Sequence, residues 1–238
     1  MRKTSKAWIL PVFLFAAAVL PAAAGDLPPG MQFRIGGFSL EGGGDFWAGV
    51  EQTFTLNAGD FDGAQVGVTY VHPWGNHLEV GYNADFYGRT VESAVQGFVD
   101  GNGFPIFHDS SLYAVPLMVD VRVLPFGRYH DRRQGRHSLK PAFYVGLGAG
   151  VNLWEYEEVG DFVDFTNDEI FFDRFEDRGI AFQTHALAGL EIPFGREWGA
   201  LFEVRRSWSD DTPNGDFAGL GKLKLGGTSA YVGASVRF

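Results

Sequence analysis

A chain of 238 residues, 45% hydrophobic and 20% charged, with 33 Gly and 23 Phe, has room for one large domain or two small ones and is too apolar to stay disordered. It contains no Cys, which excludes a disulfide framework, a thiolate metal site and a cysteine nucleophile. The net charge of −10 argues against nucleic acid as a partner, because phosphate binding draws its affinity from clustered Lys and Arg.

Residues 1–24 read as a secretory signal peptide. A basic start (Arg2, Lys3, Lys6) leads into an apolar run from Ala7 to Leu20 and then into Ala22, Ala23 and Ala24, with cleavage expected after Ala24. Its removal takes three of the 19 Lys and Arg and none of the 29 Asp and Glu, leaving an exported chain of net charge −13. Residues 25–238 then form the second region, a single barrel domain. No apolar run there reaches the ~18 residues of a membrane helix. A chain of this kind can cross a bilayer only with strands closed into a ring, where every backbone N–H and C=O has a partner.

Period-two alternation marks eight strands, at about residues 31–40, 64–72, 77–89, 111–124, 139–154, 179–193, 199–209 and 225–238. In the third, Leu78, Val80, Tyr82, Ala84 and Phe86 alternate with Glu79, Gly81, Asn83, Asp85 and Tyr87. In the fifth, Phe143, Val145, Leu147, Ala149, Val151 and Leu153 alternate with Tyr144, Gly146, Gly148, Gly150 and Asn152. A soluble barrel alternates as well, with its apolar face inward. Two features turn the apolar face outward, toward lipid: charges and glycines share the other face of nearly every strand, and Trp74, Trp154, Trp198 and Trp208 stand near strand ends, where aromatic girdles sit. The expected fold is all-β, an eight-stranded antiparallel transmembrane β-barrel. The shorter connectors (73–76, 125–138, 194–198) mark the periplasmic side, and with it the N- and C-termini. The middle one is basic, with Arg128, Arg132, Arg133 and Arg136 beside His130 and His137.

The strands are expected to turn Arg34, Glu79, Asp85, Arg89, Asp120, Arg122, Glu191, Glu203, Arg205 and Arg237 into the lumen, five acids and five bases, with His185 on the same side. An eight-stranded interior is just wide enough to be filled by side chains. A hydrogen-bonded ion network is therefore expected rather than a water column.

The segments Lys140-Pro-Ala-Phe-Tyr-Val-Gly-Leu-Gly-Ala-Gly150, Ala186 to Phe194, Leu201-Phe-Glu-Val-Arg205 and Ala230-Tyr-Val-Gly-Ala-Ser-Val-Arg-Phe238 resemble the outer-membrane β-barrel domain family, the small eight-stranded Gram-negative barrels related to OmpX and OmpA. The resemblance spans nearly the whole mature chain. It implies a cell outer membrane location, contact with outer-membrane lipid and lipopolysaccharide, and delivery by the barrel-assembly machinery. The assembly signal would be Phe238, preceded by Val236, Ala234 and Val232 at alternate positions. It implies no single activity.

Other chemistry is thinly signalled. Gly146-Leu-Gly-Ala-Gly150 lacks the spacing and the following helix of a dinucleotide fingerprint. The connector 155–177 interleaves ten Asp and Glu with five Phe and does not match a calcium-loop pattern. It is expected to be a solvated acidic loop, a weak cation or ligand contact, or a flap over the barrel mouth. His108-Asp109-Ser110-Ser111 is the one local Ser/His/acid cluster; His108 and Ser110 share a face, and a triad would take its acid from another strand. The expected role is a non-enzymatic one at the envelope: integrity, adhesion or binding of an unidentified extracellular ligand through loops. No catalytic, cofactor or metal residues are assigned. A lipid A-modifying enzyme and a small-solute pore remain the alternatives.

Overall fold

The computed structural model describes residues 27–130 and 138–238. The signal segment 1–24 and Arg132, Arg133, Arg136 and His137 of the basic connector lie outside the described residues. Eight long strands carry the architecture: β1 (Gly30–Leu40), β2 (Gly63–Pro73), β3 (Leu78–Val99), β4 (Pro105–Val123), β5 (Ala142–Asp164), β6 (Glu169–Pro193), β7 (Trp198–Asp211) and β8 (Gly227–Arg237). Each pairs antiparallel with its neighbours in chain order, and β1 closes on β8 from Gly30↔Arg237 to Leu40↔Gly227. The sheet therefore has no free edge through the barrel wall.

The stagger of the ring follows from the pairings. Starting at Gln65, the directly opposed residues are Tyr87, Ala114, Trp154 and Gly179 in one direction. In the other they are Gly36, Tyr231, Glu203 and Gly189. The two paths reach β6 ten residues apart, at Gly179 and Gly189. That shear of ten tilts the strands by roughly 40° to the barrel axis.

Burial is inverted relative to a soluble protein. Arg34, Glu79, Asp85, Asp120, Arg122, Glu203 and Arg205 are buried, while Phe33, Ile35, Val119, Val121, Leu147, Phe182, Phe202 and Val232 are exposed. Water does not tolerate an apolar surface this continuous; hydrocarbon requires one. The 11-residue strands β1, β2 and β8 match the ~9–11 tilted residues that cross a bilayer. Trp74, Phe126, Phe194 and Trp198 are exposed at the end that holds the termini, and Tyr113 and Trp208 at the other. Trp154, expected in a girdle, is instead buried. It lies on the inward face of β5, where its Nε1 donates to Asp211 Oδ2 at 2.8 Å. Among the described residues no helix is long and apolar enough to cross a membrane.

Four strands are longer than their apolar pattern. β3 and β4 run on as one hairpin to the turn at 100–104, and β5 and β6 as another to the turn at 165–168. The acidic segment 155–177 is thus paired strand, from Glu155↔Arg178 to Asp164↔Glu169, rather than a loop. Its outward positions carry Glu155 and Glu157 because they stand beyond the lipid. Its inward positions Tyr156 and Glu158 are buried.

The β1–β2 connector also holds unanticipated structure. Gly43 and Gly44, both near φ +90, turn the chain into helix α1 (Asp45–Thr53), followed by a 3₁₀ turn at Ala58–Phe61. Asp45 in the first turn suits the positive end of the helix dipole, and Phe46, Trp47 and Val50 form the apolar stripe.

Candidate functional site

The lumen is built in layers, because inward residues of neighbouring strands meet at successive heights. At the end near the termini Arg128, Glu79, Arg237 and Glu191 form a closed ring. Arg128 Nη2 meets Glu79 at 2.8 Å and its Nη1 meets Glu191 at 2.8 Å; Arg237 Nη2 meets Glu191 at 3.2 Å and its Nη1 approaches Glu79 at 3.4 Å. A second ring lies above it. Arg34 bonds Asp85 at 2.7 Å and Glu203 at 2.8 Å, and Arg205 bonds the same two carboxylates at 2.7 Å each. Arg34 and Arg205 also lie 5.1 and 5.7 Å from the centre of the Tyr231 ring.

Arg122 and Gln32 join the rings. Arg122 donates to Asp120 at 2.7 Å and to Gln32 Oε1 at 2.8 Å, and the Gln32 amide donates to Glu191 at 3.0 Å. Asn83 donates to Asp120 at 2.6 Å, and Tyr144 donates to Glu203 at 2.9 Å. His185 Nε2 stands 3.6 Å from Asp120. The glycines opposite make this packing feasible: a Cβ on Gly81 would sit 2.5 Å from Asp120 Oδ1, and one on Gly148 the same distance from His185 Nε2.

Of the eleven lumen positions expected from alternation, ten are buried and meet in this assembly; Arg89 does not join it. It keeps the inward parity of Asp85 and Tyr87, but it sits at the rim, exposed, with Nε directed at the Asp60 carbonyl. Arg128, read only as part of a basic connector, takes the fifth cationic place. Alternation could not find it, since it lies off the strands in a segment that folds back under the barrel, held by Asn76 Oδ1 on its backbone N–H. The lumen carries Arg34, Arg122, Arg128, Arg205 and Arg237 against Glu79, Asp85, Asp120, Glu191 and Glu203.

The opposite end of the lumen is apolar. Helix α1 lowers Phe46, Trp47 and Val50 into the mouth against Phe38, Phe61, Tyr87, Trp154, Tyr156, Phe217 and Leu225. Phe46 and Trp47 meet Tyr156 edge-on, with ring centres 5.3 and 6.1 Å apart. The Trp47 indole N–H is satisfied by the Lys224 carbonyl at 3.1 Å. Between this plug and the ion rings lies a cavity of about 20 Å³, bordered by Asp85, Arg205, Tyr231 and Asn152. That is room for about one water molecule.

The Ser/His/acid cluster sits in the projecting sheet and is closed. His108 Nε2 pairs with Ser93 Oγ at 2.8 Å, and its ring packs between Phe54 and Phe162. Ser110 shares its face but no hydrogen bond joins the two, and Asp109 points outward. Burial lowers the His108 pKa to about 4, against a smaller opposing pull from Asp109. Glu158, opposite Ser110, accepts the Tyr156 hydroxyl at 2.8 Å; burial raises its pKa to about 7, and that hydrogen bond opposes the rise. Among the described residues no group of three His, Asp or Glu is placed to hold a metal ion.

The acidic strand guards its own edge. Above the point where β7 ends, β6 has no neighbouring strand on that side, yet carboxylates accept from three successive N–H groups of that edge. Asp173 accepts from Arg174 at 2.8 Å, Asp216 from Glu176 at 2.9 Å, and Asp177 from Arg178 at 2.8 Å. Capped amides cannot template another strand.

The chain matches no protein-family model, and no curated protein is similar to it in sequence. Solved structures similar to it are outer-membrane proteins. The outer membrane protein OprG from Pseudomonas aeruginosa is 14% identical, with 89% of this chain and 96% of that chain covered at a TM-score of 0.49. A major outer membrane protein from Thermus thermophilus is 12% identical, covering 87% and 99% at 0.45. Ail, the attachment invasion locus protein of Yersinia pestis, solved with the heparin analogue sucrose octasulfate, is 13% identical, covering 89% and 100% at 0.40.

Proposed function

We propose that this protein is an exported outer-membrane barrel of a Gram-negative envelope that acts without catalysis, as a closed membrane pedestal for the sheet it raises outside the cell. In this reading residues 1–24 direct export, residues 25–238 form the barrel, both termini face the periplasm, and Phe238 presents the end of β8 to the assembly machinery. The outward apolar band contacts outer-membrane lipid and lipopolysaccharide.

The observation that carries the reading is a lumen occupied along its whole length, by two ion rings toward the termini and an aromatic plug at the far mouth. With its interior filled, what the barrel offers to its surroundings is its outer wall and the projecting sheet. Refolded wild-type protein in planar bilayers is expected to give no steady single-channel current. Reproducible unitary currents would overturn the closed-pedestal reading in favour of a pore. Mass spectra of lipid A from expressing cells are expected to match those from empty cells; a changed acyl pattern lost in His108→Ala would instead establish an enzyme.

A further inference from the structure

The segments of β3–β6 beyond the membrane band form a four-stranded sheet with two different faces. The inner face is covered: Val95, Ile106 and Val163 pack with Phe54 and Phe98, and Phe162 meets His108 and Phe175. The outer face is bare. There Asp161 is paired with Phe172, and Phe107 stands beside them, since its neighbour His108 opposes Gly160, the residue before Asp161. Phe107 is 49% and Phe172 72% exposed, flanking an exposed carboxylate. The next row toward the membrane runs Glu92, Asp109, Val159 and Arg174, and the row below it Ser111, Glu157 and Glu176. Residues 89–111 and 154–179 together hold 13 Asp and Glu against three Arg. One of these, Arg174, is already engaged by Glu157 and Glu176.

Charge narrows the occupant. Anionic lipid headgroups and sulfated or phosphorylated glycans are repelled by this face, and so is a second copy, which presents the same acidic rows. A strand adding to the β6 edge meets amides already capped by Asp173, Asp177 and Asp216. The complementary surface is cationic with apolar side chains among the charges.

We propose that the outer face of the projecting sheet docks a cationic amphipathic polypeptide. Its Lys or Arg side chains lie over Asp161, Asp109 and Glu92, and its apolar side chains lie against Phe107 and Phe172. A cation held at Asp161 is also within reach of two aromatic rings, which favour it further. The inference rests on the reading that this sheet projects from the membrane into the exterior.

The test uses the full mature chain, refolded in a neutral detergent, and a fluorescent synthetic peptide of Lys and Leu in amphipathic spacing. Saturable binding is expected, weakening as salt rises. It should fall about tenfold or more in the double variant Phe107→Ala/Phe172→Ala, and also in Asp161→Asn. Both changes are at exposed positions, and an unchanged heat-modifiable band shows that the barrel is intact. No saturable binding, equal binding by the double variant, or equal binding of the same peptide with Glu for Lys would each overturn the proposal. So would tighter binding of a sulfated oligosaccharide.

Exposure in the cell is read separately. The chain has no Cys, so Asn102→Cys in the β3–β4 turn is a unique label site. Its labelling by a membrane-impermeant maleimide on intact cells is expected. Its protection would overturn the outward orientation while leaving the peptide result on purified protein to stand or fall by itself.

Discussion

A single arginine shows how narrowly the lumen is balanced. Arg128 touches both Glu79 and Glu191, and among the described residues no other cation approaches this pair except Arg237. Arg128→Ala therefore leaves two buried carboxylates with one cationic partner and should cost about 3–5 kcal/mol, the usual loss when one side of a buried pair is removed. Arg89→Ala, at the exposed rim, should be close to neutral. Urea or thermal unfolding of refolded protein compares the two, and equal losses would contradict the assignment of Arg128 to the lumen. Glu158 makes a second residue-scale case, with a pH signature. Its pKa is about 7 when folded against an ordinary value of 4.5. A raised carboxyl contributes its full stability below about pH 4.5 and loses it as pH rises through 7. Glu158→Gln should therefore match wild type at pH 4 and be more stable at pH 8, by up to about 3 kcal/mol. A gain that did not depend on pH would mean that the residue acts through shape rather than charge.

At the scale of the element, helix α1 and the outward face of β4 test opposite solvents. Trp47 is completely buried among Phe46, Phe61 and Tyr156. Trp47→Ala empties the centre of the plug and should cost ~3–5 kcal/mol, as large aromatic deletions in packed cores do. Because the ion rings lie below, the variant should still pass no current. Val119 lies mid-strand on the exposed face, and Val119→Arg should cost ~2–4 kcal/mol in a bilayer, the magnitude for a cation near the midplane. A neutral Val119→Arg in lipid would place this face against water. The projecting hairpins are elements of another kind: they continue β-pairing where lipid no longer selects the outward residues, so acidic side chains appear there and the hydrophobic alternation ends.

Across the whole molecule, closure of the ring, its stagger of ten and the filling of its interior depend on one another. A barrel of eight strands has an interior of side-chain width. Ion rings can close there because inward carboxylates reach cations from other parts of the wall, as Arg34 of β1 reaches Asp85 of β3 and Glu203 of β7. The sequence by itself determined the strand count, the closed antiparallel order, the outward apolar face and ten of the buried polar positions. Alternation with period two is imposed residue by residue by the two solvents, and it is written locally. Only the tertiary structure decided the rest. Arg128 enters the lumen from a connector, Trp154 bonds Asp211 of β7, and Phe46 and Trp47 plug the mouth. Each of these depends on a partner distant in the chain, such as Glu191 for Arg128 or Phe217 for Phe46, and local periodicity carries no record of such a partner.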